Sequence, residues 1–459
     1  MKKVDFLFIY EVRSREIENL ALLAAQLEHW GYTTAFMNSW RCLDLKYDSY
    51  DAQVVVISAC YDTGTYQFFA GHAWKFKKVV DLQWEQVLKN GYIQSREIVS
   101  WDFSGEGLVT RHVCWGPNER KRLEDVYGVE EQYLPICGYL PMDFYRPELA
   151  DFIIKREQLF TENGLDPNKM TVLFISSFAM VGLPNEHKGK CGHRLQEIID
   201  DSCYESQEII LDWFKKAMVA HKDIQFIYRY HPTERDNPIL TQMEEDYPNF
   251  FCISKEAIKH WIVGCDKIYN WLSTSAAEIY KCGKQSFIIR PVPVPWEADM
   301  AIFDGCHAIS EYDEFEKSLE LPCDVPNQPL DLGSLEGYYD MGEPAAYIRI
   351  SELLKETYES TTYTSNPCDK NTKLTRWWTL TYEWFWLSWM NRVLVWTAKH
   401  TDWDIWFLNN RRGSVLISRK RDAELRSYRE SRCRLNEVSD EELRGMINKA
   451  KEILFKEQQ

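Results

Sequence analysis

The sequence predicts an α/β protein with two Rossmann-like parallel-sheet domains, followed by a helical extension that is rich in aromatic residues. The first observation is that short apolar runs alternate with helical periodicity over residues 4–58, which is typical of an open parallel sheet. The second is that the same alternation returns over residues 170–290. The third is a stretch near residue 380 that is apolar nearly all round and resembles neither domain.

The composition indicates packed domains rather than a disordered chain. The chain has 459 residues, of which 45% are hydrophobic, and it carries a formal net charge of −16. An acidic protein disfavours general nucleic-acid binding, so no nucleic-acid partner is expected. Thirteen scattered cysteines and the lack of a leader segment ahead of Val4 fit a reducing cytoplasm.

No metal ion or organic cofactor is expected from the motifs. CxxC pairs are absent, and neither a P-loop nor a G-x-G-x-x-G motif occurs. His187, Cys191 and His193 form a small cluster in a polar loop, which we interpret as chance proximity. Asp402 and Asp404 have the spacing of metal-dependent sugar transferases, but they fall in the aromatic tail and are interpreted in the same way.

The first predicted strand, Val4–Tyr10, is followed by a charged step and a helix. Arg13, Arg15 and Glu16 occupy that step, and apolar residues recur at helical spacing until Gly31. The loop after the first strand of an open parallel sheet borders the ligand crevice, so these three side chains are predicted to line it. A solvated helix start held by ion pairs is the alternative.

A glycine-rich acidic loop follows another predicted strand, Ile98–Trp101. Asp102 comes directly after the strand, and Glu106 lies between Gly105 and Gly107. Flanking glycines let the backbone approach a ligand closely and hold one carboxylate at the tip of the loop. Such a carboxylate can serve as a general base, with an ordinary solvated turn as the alternative.

The second domain is expected to contain two strands whose ends carry polar side chains. The strand Gln225–Tyr230 ends at His231-Pro232, because proline cannot continue a central ladder. Arg229, His231 and Glu234 are thereby predicted at the carboxyl end of the strand. A cationic strand end of this kind is suited to phosphate.

A second polar strand end is predicted about forty residues later. The strand Lys267–Leu272 precedes a short helix at residues 276–281, and three hydroxyl-bearing residues lie between them: Ser273, Thr274 and Ser275. Free helix amino ends attract anions, and α/β sheets bind phosphorylated ligands at such positions. The two stretches together predict a nucleotide-phosphate pocket.

These two motifs also carry a family resemblance. Arg-x-His-Pro at residues 229–232, followed by the Ser/Thr-rich helix start at 273–275, resembles bacterial GT-B-type transferases that build surface polysaccharides. These include the surface carbohydrate biosynthesis proteins, the sialyl- and Kdo-transferases, and the CDP-glycerol polyol-phosphate transferases. The resemblance covers residues 3–291 and includes the acidic loop, where Glu106 is kept and Gly105 replaces the preceding acid.

The resemblance implies a glycosyltransferase that moves a sugar from a nucleotide-activated donor, with CMP-linked donors favoured, onto a surface polysaccharide or glycolipid acceptor. Arg229, His231 and Glu234 would bind the donor phosphate together with the helix start. Glu278 would accept from ribose hydroxyls, and Glu106 or Asp102 would act as general base. A polyol-phosphate transferase, a UDP-sugar 2-epimerase-like enzyme and a non-catalytic scaffold of a polysaccharide synthesis complex remain as alternatives.

Two domains and an extension are predicted, with limits after residues 145 and 360. Residues 1–145 form the first, acceptor-side domain and residues 146–360 the nucleotide-donor domain, in which a long loop is predicted at 179–206. The extension, residues 361–459, is expected to be helical and basic. Its 17 lysines and arginines against 12 acids from residue 371 onward give +5, which leaves −21 for residues 1–370.

The aromatic stretch Arg376–Trp396 is long enough to span a bilayer, but it contains Glu383 and Arg392. Two interpretations remain for residues 374–421. They form an interfacial helix held to anionic lipid at the inner membrane face, or an aromatic helix packed on the protein or on a partner chain. Packing is the favoured interpretation.

Overall fold

The computed structural model describes most of the two predicted domains and part of the C-terminal extension. The described residues are 2–39, 50–59, 78–87, 90, 109–178, 194–231, 234, 237–361 and 434–456. Residues 194–201 are described by their backbone alone.

A five-stranded parallel sheet forms the centre of the first domain. Its strands are β1 Lys2–Tyr10, β2 Thr34–Asn38, β3 Tyr50–Ile57, β4 Lys78–Asp81 and β5 Arg111–His112. They lie in the order β2-β1-β3-β4-β5, so β1 pairs with both β2 and β3. The predicted first strand is confirmed, and every residue from Phe6 to Tyr10 is buried. Burial on both faces explains its continuous apolar run.

Helices flank this sheet and begin close to the strand ends. The helices are α1 Arg13–His29 and α2 Pro117–Tyr127, and short 3₁₀ turns follow at Glu131–Tyr133, Leu140–Tyr145 and Pro147–Phe152. Helix α1 buries its apolar side chains against the sheet and ends before Gly31, as predicted. Gly31 has a φ of 92°, a left-handed conformation that glycine adopts without strain.

The second domain is built on another five-stranded parallel sheet. Its strands are β6 Thr171–Ile175, β7 Gln225–Arg229, β8 Phe250–Ile253, β9 Lys267–Asn270 and β10 Gln285–Ile288. Their order is β10-β9-β6-β7-β8, which places β6 in the centre with β9 and β7 on either side. The two sheets confirm the predicted α/β fold with two Rossmann-like, GT-B-like domains.

The helices of the second domain confirm the predicted alternation but differ from it at one place. They are α3 Arg156–Glu162, α4 Arg194–Ala220, α5 Pro238–Asp246, α6 Ile258–Gly264, α7 Ser275–Cys282, α8 Tyr312–Glu320 and α9 Leu332–Tyr338, with 3₁₀ turns at Trp296–Ala298 and Ala301–Phe303. The loop prediction is wrong for residues 194–206, which form the first half of α4. The last glycine of that stretch is Gly192, and no helix breaker follows it before Ala220.

The chain returns to the first domain after α9. Helices α10 Ala346–Glu359 and α11 Asp440–Leu454 both pack on α1, and they bury Ile350, Leu354 and Ile447 in the first domain's core. The predicted limit after residue 360 assigned α10 to the second domain, whereas its buried face completes the first. Helix α11 lies in the segment predicted as a separate extension.

A buried polar contact joins α1 of the first domain to α6 of the second. The Glu18 carboxylate pairs with the Lys259 ammonium and lies 3.3 Å from Nε2 of His260. Nδ1 of His260 accepts the main-chain N–H of Ile154 in the segment that connects the domains, so Nε2 carries the proton donated to Glu18. Burial alone would raise the pKa of Glu18, but Lys259 and His260 hold it well below its usual range.

None of the helices in these described ranges is long and apolar enough to cross a membrane. Residues 374–421, with their proposed membrane or protein contact, lie outside the described residues. Within the described part of the chain, no group of three or more His, Cys, Asp or Glu side chains is placed to hold a metal ion. The sequence clusters at 187–193 and 402–404 also fall outside it.

Candidate functional site

The carboxyl ends of three neighbouring strands form one wall of the candidate site. Ser176 follows β6, His231 follows the end of β7, and Ser273 follows β9. Because β6 pairs with both β7 and β9, these segments lie side by side at one edge of the sheet. Ser176 Oγ donates to Glu234 at 2.5 Å, and Ser177 Oγ donates to the Leu272 carbonyl at 2.8 Å. Two consecutive serines therefore link the two motifs that the sequence singled out.

The start of α7 is an accessible helix amino end. Thr274 is the N-cap residue, and its side chain makes no capping hydrogen bond. Ser273 Oγ accepts from the Ser275 N–H at 3.3 Å. All three hydroxyl-bearing residues are half-exposed. The next two N–H groups, of Ala276 and Ala277, donate to the carbonyls of Ser273 and Thr274 at 3.2 and 3.1 Å. Because a helix amino end carries partial positive charge, this end is suited to an anion.

Arg229 has a different environment from the predicted phosphate contact. Its guanidinium is buried and donates to the Lys255 carbonyl at 2.5 Å and to the Glu256 carbonyl. Burial lowers the pKa of Arg229 to about 10. Glu256 has a φ of 60°, and the two hydrogen bonds hold this left-handed turn between β8 and α6. Arg229 thus braces the loop beside the site.

Glu234 is held inside the wall and closes a turn with His231. The Glu234 N–H donates to the His231 carbonyl at 2.9 Å, and the His231 N–H donates back to Glu234 Oε2 at 3.0 Å. Three side chains also donate to this carboxylate: Ser176, Tyr228 and Gln207. The imidazole of His231 is half-exposed at the strand end, whereas the Glu234 carboxylate is occupied by protein donors.

Glu278 extends from α7 toward the first domain. Its side chain is buried, and Tyr145 donates its hydroxyl to Oε2 at 3.0 Å. Burial raises the pKa of Glu278 to about 7, although the Tyr145 hydrogen bond and the Lys259 ammonium act in the opposite direction. A carboxyl group whose pKa is raised in this way is protonated over much of the pH range below neutral.

The first domain contributes a charged wall after β1. Arg15 donates to Glu16 at 3.0 Å and to Glu85 at 3.0 Å, and Glu11 lies 3.6 Å from the same guanidinium. Glu16 is completely buried, where it accepts from Ser58 at 2.6 Å and from the Glu11 N–H at 2.9 Å. Arg15 remains partly exposed, as expected of a cleft residue, whereas Glu16 stabilises the loop from inside.

Arg13 contacts the C-terminal segment. Its N–H donates to Asn436 Oδ1 at 2.9 Å, and its guanidinium pairs with Glu442 in the first turn of α11. Arg15 and Glu16 therefore pair with each other, and Arg13 contacts the C-terminal segment, although the sequence placed all three together as cleft-lining side chains. Their local pattern of ion pairs matches the alternative of a braced helix start.

Aromatic side chains connect the charged wall of the first domain to Glu278. Tyr139 packs with its ring centroid 4.1 Å from that of Trp115 and 5.5 Å from that of Tyr339. Burial raises the pKa of the Tyr139 hydroxyl, and its neighbouring charges include Glu278 from the second domain and Arg15 from the first. The two domains therefore face each other across a buried aromatic floor.

The aromatic residues between the domains were not among the predicted site residues. Tyr139 lies in residues 136–143, which the sequence indicates only as the boundary of the first domain, and Tyr145 follows two positions later. The sequence feature that could have identified them is the high density of aromatic residues around the Gly-Tyr-Leu-Pro motif in this region. Asp102 and Glu106, the predicted general bases, lie outside the described residues.

Glu278 makes the stability of the protein depend on pH. Because folding raises its pKa from 4.5 to about 7, the native state holds a proton that the unfolded chain has already released between these values. The contribution of Glu278 to stability therefore falls as pH rises through this window, by roughly 3 kcal/mol at most. We expect Glu278→Gln to flatten the pH profile of urea unfolding between pH 5 and 8, while Glu336→Gln, at an exposed position of α9, leaves the profile unchanged. Equal profiles for wild type and Glu278→Gln would contradict the assignment.

Comparison with known proteins supports the fold but does not assign the chain to a family. No family model matches the sequence, and no curated protein matches it. The wall teichoic acid polymerase TagF has a similar structure, with a TM-score of 0.53 at 10% identity over 77% of this chain and 88% of that one. A second structure of the polymerase gives 0.51 at 9% identity, over 77% and 89% of the two chains. A UDP-N-acetylglucosamine 2-epimerase from Listeria monocytogenes gives 0.47 at 13% identity, over 80% and 100%. The polymerase likeness agrees with the two-domain α/β fold.

Proposed function

We propose that this protein is a GT-B-type glycosyltransferase that takes a sugar from a nucleotide-activated donor and transfers it to a surface polysaccharide or glycolipid acceptor. One observation carries the proposal. The His231 turn and the amino end of α7 lie at one edge of the second sheet, on either side of the end of β6, and Glu278 faces the aromatic floor shared with the first domain. Such an arrangement of opposed strand ends is the usual ligand position of α/β sheets.

The proposed mechanism relies on electrostatic stabilisation of the leaving phosphate. His231 at the end of β7 and the N–H groups and hydroxyls of residues 273–275 would surround the donor phosphate. Arg229 would act indirectly by bracing the neighbouring loop. Glu106 or Asp102 would accept the proton of the acceptor hydroxyl, and Arg15 would contribute to the acceptor side of the cleft. No metal or cofactor is assigned to the site.

The donor is expected to be CMP-linked, on the resemblance of the His-Pro and helix-start motifs to sialyl- and Kdo-transferases. Two other enzyme functions are compatible with the same candidate site. A polyol-phosphate transferase has support from the likeness of the fold to the polymerase TagF, one of whose structures was soaked with CDPG. A UDP-sugar 2-epimerase-like activity rests on the resemblance at the same helix start. We place the protein in the cytoplasm, with residues 374–421 as its contact with the inner membrane face or a partner protein.

Thermal shifts with CMP, CDP, UDP and GDP test the proposal. A ligand that binds the folded state alone raises the melting temperature by mass action, by an amount that follows its concentration relative to Kd. We expect one nucleotide to stabilise the full chain selectively. Stabilisation by CMP would support a CMP-linked donor, and preference for CDP or UDP would direct product assays to polyol phosphate transfer or epimerisation. No shift with any nucleotide would contradict the enzyme proposal and favour the scaffold alternative.

A further inference from the structure

The carboxylate of Glu234 lies at the centre of a polar cluster behind the His231 turn. Tyr228 donates its hydroxyl to Oε1 at 2.7 Å, and Ser176 donates to Oε2 at 2.5 Å. Gln207 Nε2 lies 3.1 Å from the Tyr228 hydroxyl and 3.4 Å from Oε1. We define Ser176, Tyr228, Gln207 and Glu234 as the Glu234 cluster.

The members of the Glu234 cluster come from separate elements that meet at one point. Ser176 follows β6, Tyr228 belongs to β7, and Gln207 belongs to α4. Ser176, Tyr228 and Gln207 are all buried. A buried polar group is stable in a fold when its hydrogen bonds are satisfied, and it then holds its partners in one geometry. The cluster therefore fixes the position of Glu234 relative to the central strands of the sheet.

The cluster reaches His231 through the main chain. The His231 N–H donates to Glu234 Oε2, and the His231 carbonyl accepts from the Glu234 N–H, so two hydrogen bonds close the turn. The first of these bonds ends on the same oxygen that Ser176 donates to. Removing the carboxylate would release the His231 N–H at the strand end.

We propose that Glu234 is a positioning residue that holds the His231 turn in place at the carboxyl end of β7, and that it acts through His231 rather than by touching the donor phosphate. The identity of the ligand in this inference rests on the proposed function, whereas the role of Glu234 in holding the turn does not. Its burial raises the pKa of Glu234, against the opposing effect of the hydroxyls of Ser176 and Tyr228 and the His231 N–H. A carboxylate surrounded by protein donors has little capacity left for a ligand hydroxyl, and it would repel a phosphate.

The test compares Glu234→Gln and Tyr228→Phe with the control Tyr269→Phe. Tyr269 is the matched residue, because it is a buried tyrosine of β9 in the same sheet, and its hydroxyl lies 2.8 Å from Ser318 Oγ, outside the Glu234 cluster. Two readouts are used on the full chain. The first is the NMR signal of the His231 ring in protein labelled with ¹³C-histidine, assigned by its loss in His231→Ala. The second is the Kd of whichever of CMP, CDP, UDP and GDP stabilises the wild type.

We expect the chemical shift of the His231 ring to change in Glu234→Gln and Tyr228→Phe and to remain unchanged in Tyr269→Phe. We also expect Kd to rise about tenfold in the first two variants and to change less than twofold in the control, because the cluster variants disturb the His231 turn and the control does not. An unmoved His231 signal in both cluster variants would overturn the proposal. Equal rises of Kd in the control and the cluster variants would overturn it as well.

The two readouts separate this inference from the proposed function. If no nucleotide binds the wild type, the proposed function fails, and the ring signal alone decides whether Glu234 positions His231. Glu234→Gln keeps an acceptor oxygen and Tyr228→Phe keeps the ring, so both variants retain most of the packing around the turn. If one of them fails to fold, the other decides.

Discussion

Replacing His231 with alanine is expected to abolish turnover of the nucleotide-activated donor while the protein stays folded. His231 is a half-exposed histidine at the end of β7, at the same edge of the sheet as the amino end of α7. Losing one preorganised group that stabilises developing charge costs about 10²–10³ in kcat. The change leaves the main-chain bonds of the turn to Glu234 in place, so the free energy of unfolding should change little.

The measurement is kcat with the donor that the nucleotide panel selects, together with urea unfolding of each variant. His307→Ala is the matched control, because His307 is an exposed histidine of the same domain that pairs with Glu314. We expect the control to keep the wild-type kcat. A kcat for His231→Ala within twofold of the wild type would remove His231 from the mechanism.

Replacing Glu18 with alanine is expected to weaken the contact between the two domains. The Lys259 side chain is almost entirely buried, and its ammonium pairs with Glu18 and lies 3.9 Å from the centroid of the Phe144 ring. Removing one partner of a buried ion pair leaves an uncompensated charge and costs about 3–5 kcal/mol. Glu18 keeps some contact with solvent, so we expect a loss of about 3 kcal/mol.

Urea unfolding followed by tryptophan fluorescence measures this loss, with Asp212→Ala as the control. Asp212 pairs with Lys216 on the exposed side of α4, and such surface pairs contribute about 0–1 kcal/mol. The double variant Glu18→Ala/Lys259→Met should recover much of the loss, since it removes the buried charge with its partner. A loss for Glu18→Ala no larger than that for Asp212→Ala would show that the contact does not couple the domains.

The fold could be predicted from the sequence because its signals are local. Each central strand is a short apolar run between helices, and the end of α7 is marked by Gly283, whose φ of 72° matches the predicted helix end. The start of α4 was missed because the glycines up to Gly192 favoured a loop. The packing of α10 and α11 on α1 joins residues hundreds of positions apart, and no local pattern encodes it.

The strand ends of the candidate site were predicted from the sequence, but the partners of their side chains were not. Arg229 was expected at the phosphate because it lies at a strand end, yet its partners are the carbonyls of a turn more than twenty residues later. Glu234 and Glu16 were expected to face ligand and are held by protein donors instead. A charged residue near a strand end has several possible partners, and three-dimensional packing decides among them. No periodic pattern in the sequence predicts the aromatic floor around Tyr139.

The position of a bound nucleotide decides whether the second domain binds phosphate where we propose. A crystal structure of the full chain with the nucleotide that gives the largest thermal shift would locate it. We expect a phosphate within hydrogen-bonding distance of the Ser275 N–H and the His231 ring, with the ribose near Glu278. A nucleotide whose phosphate lies away from both His231 and the start of α7 would show that this is not the donor site.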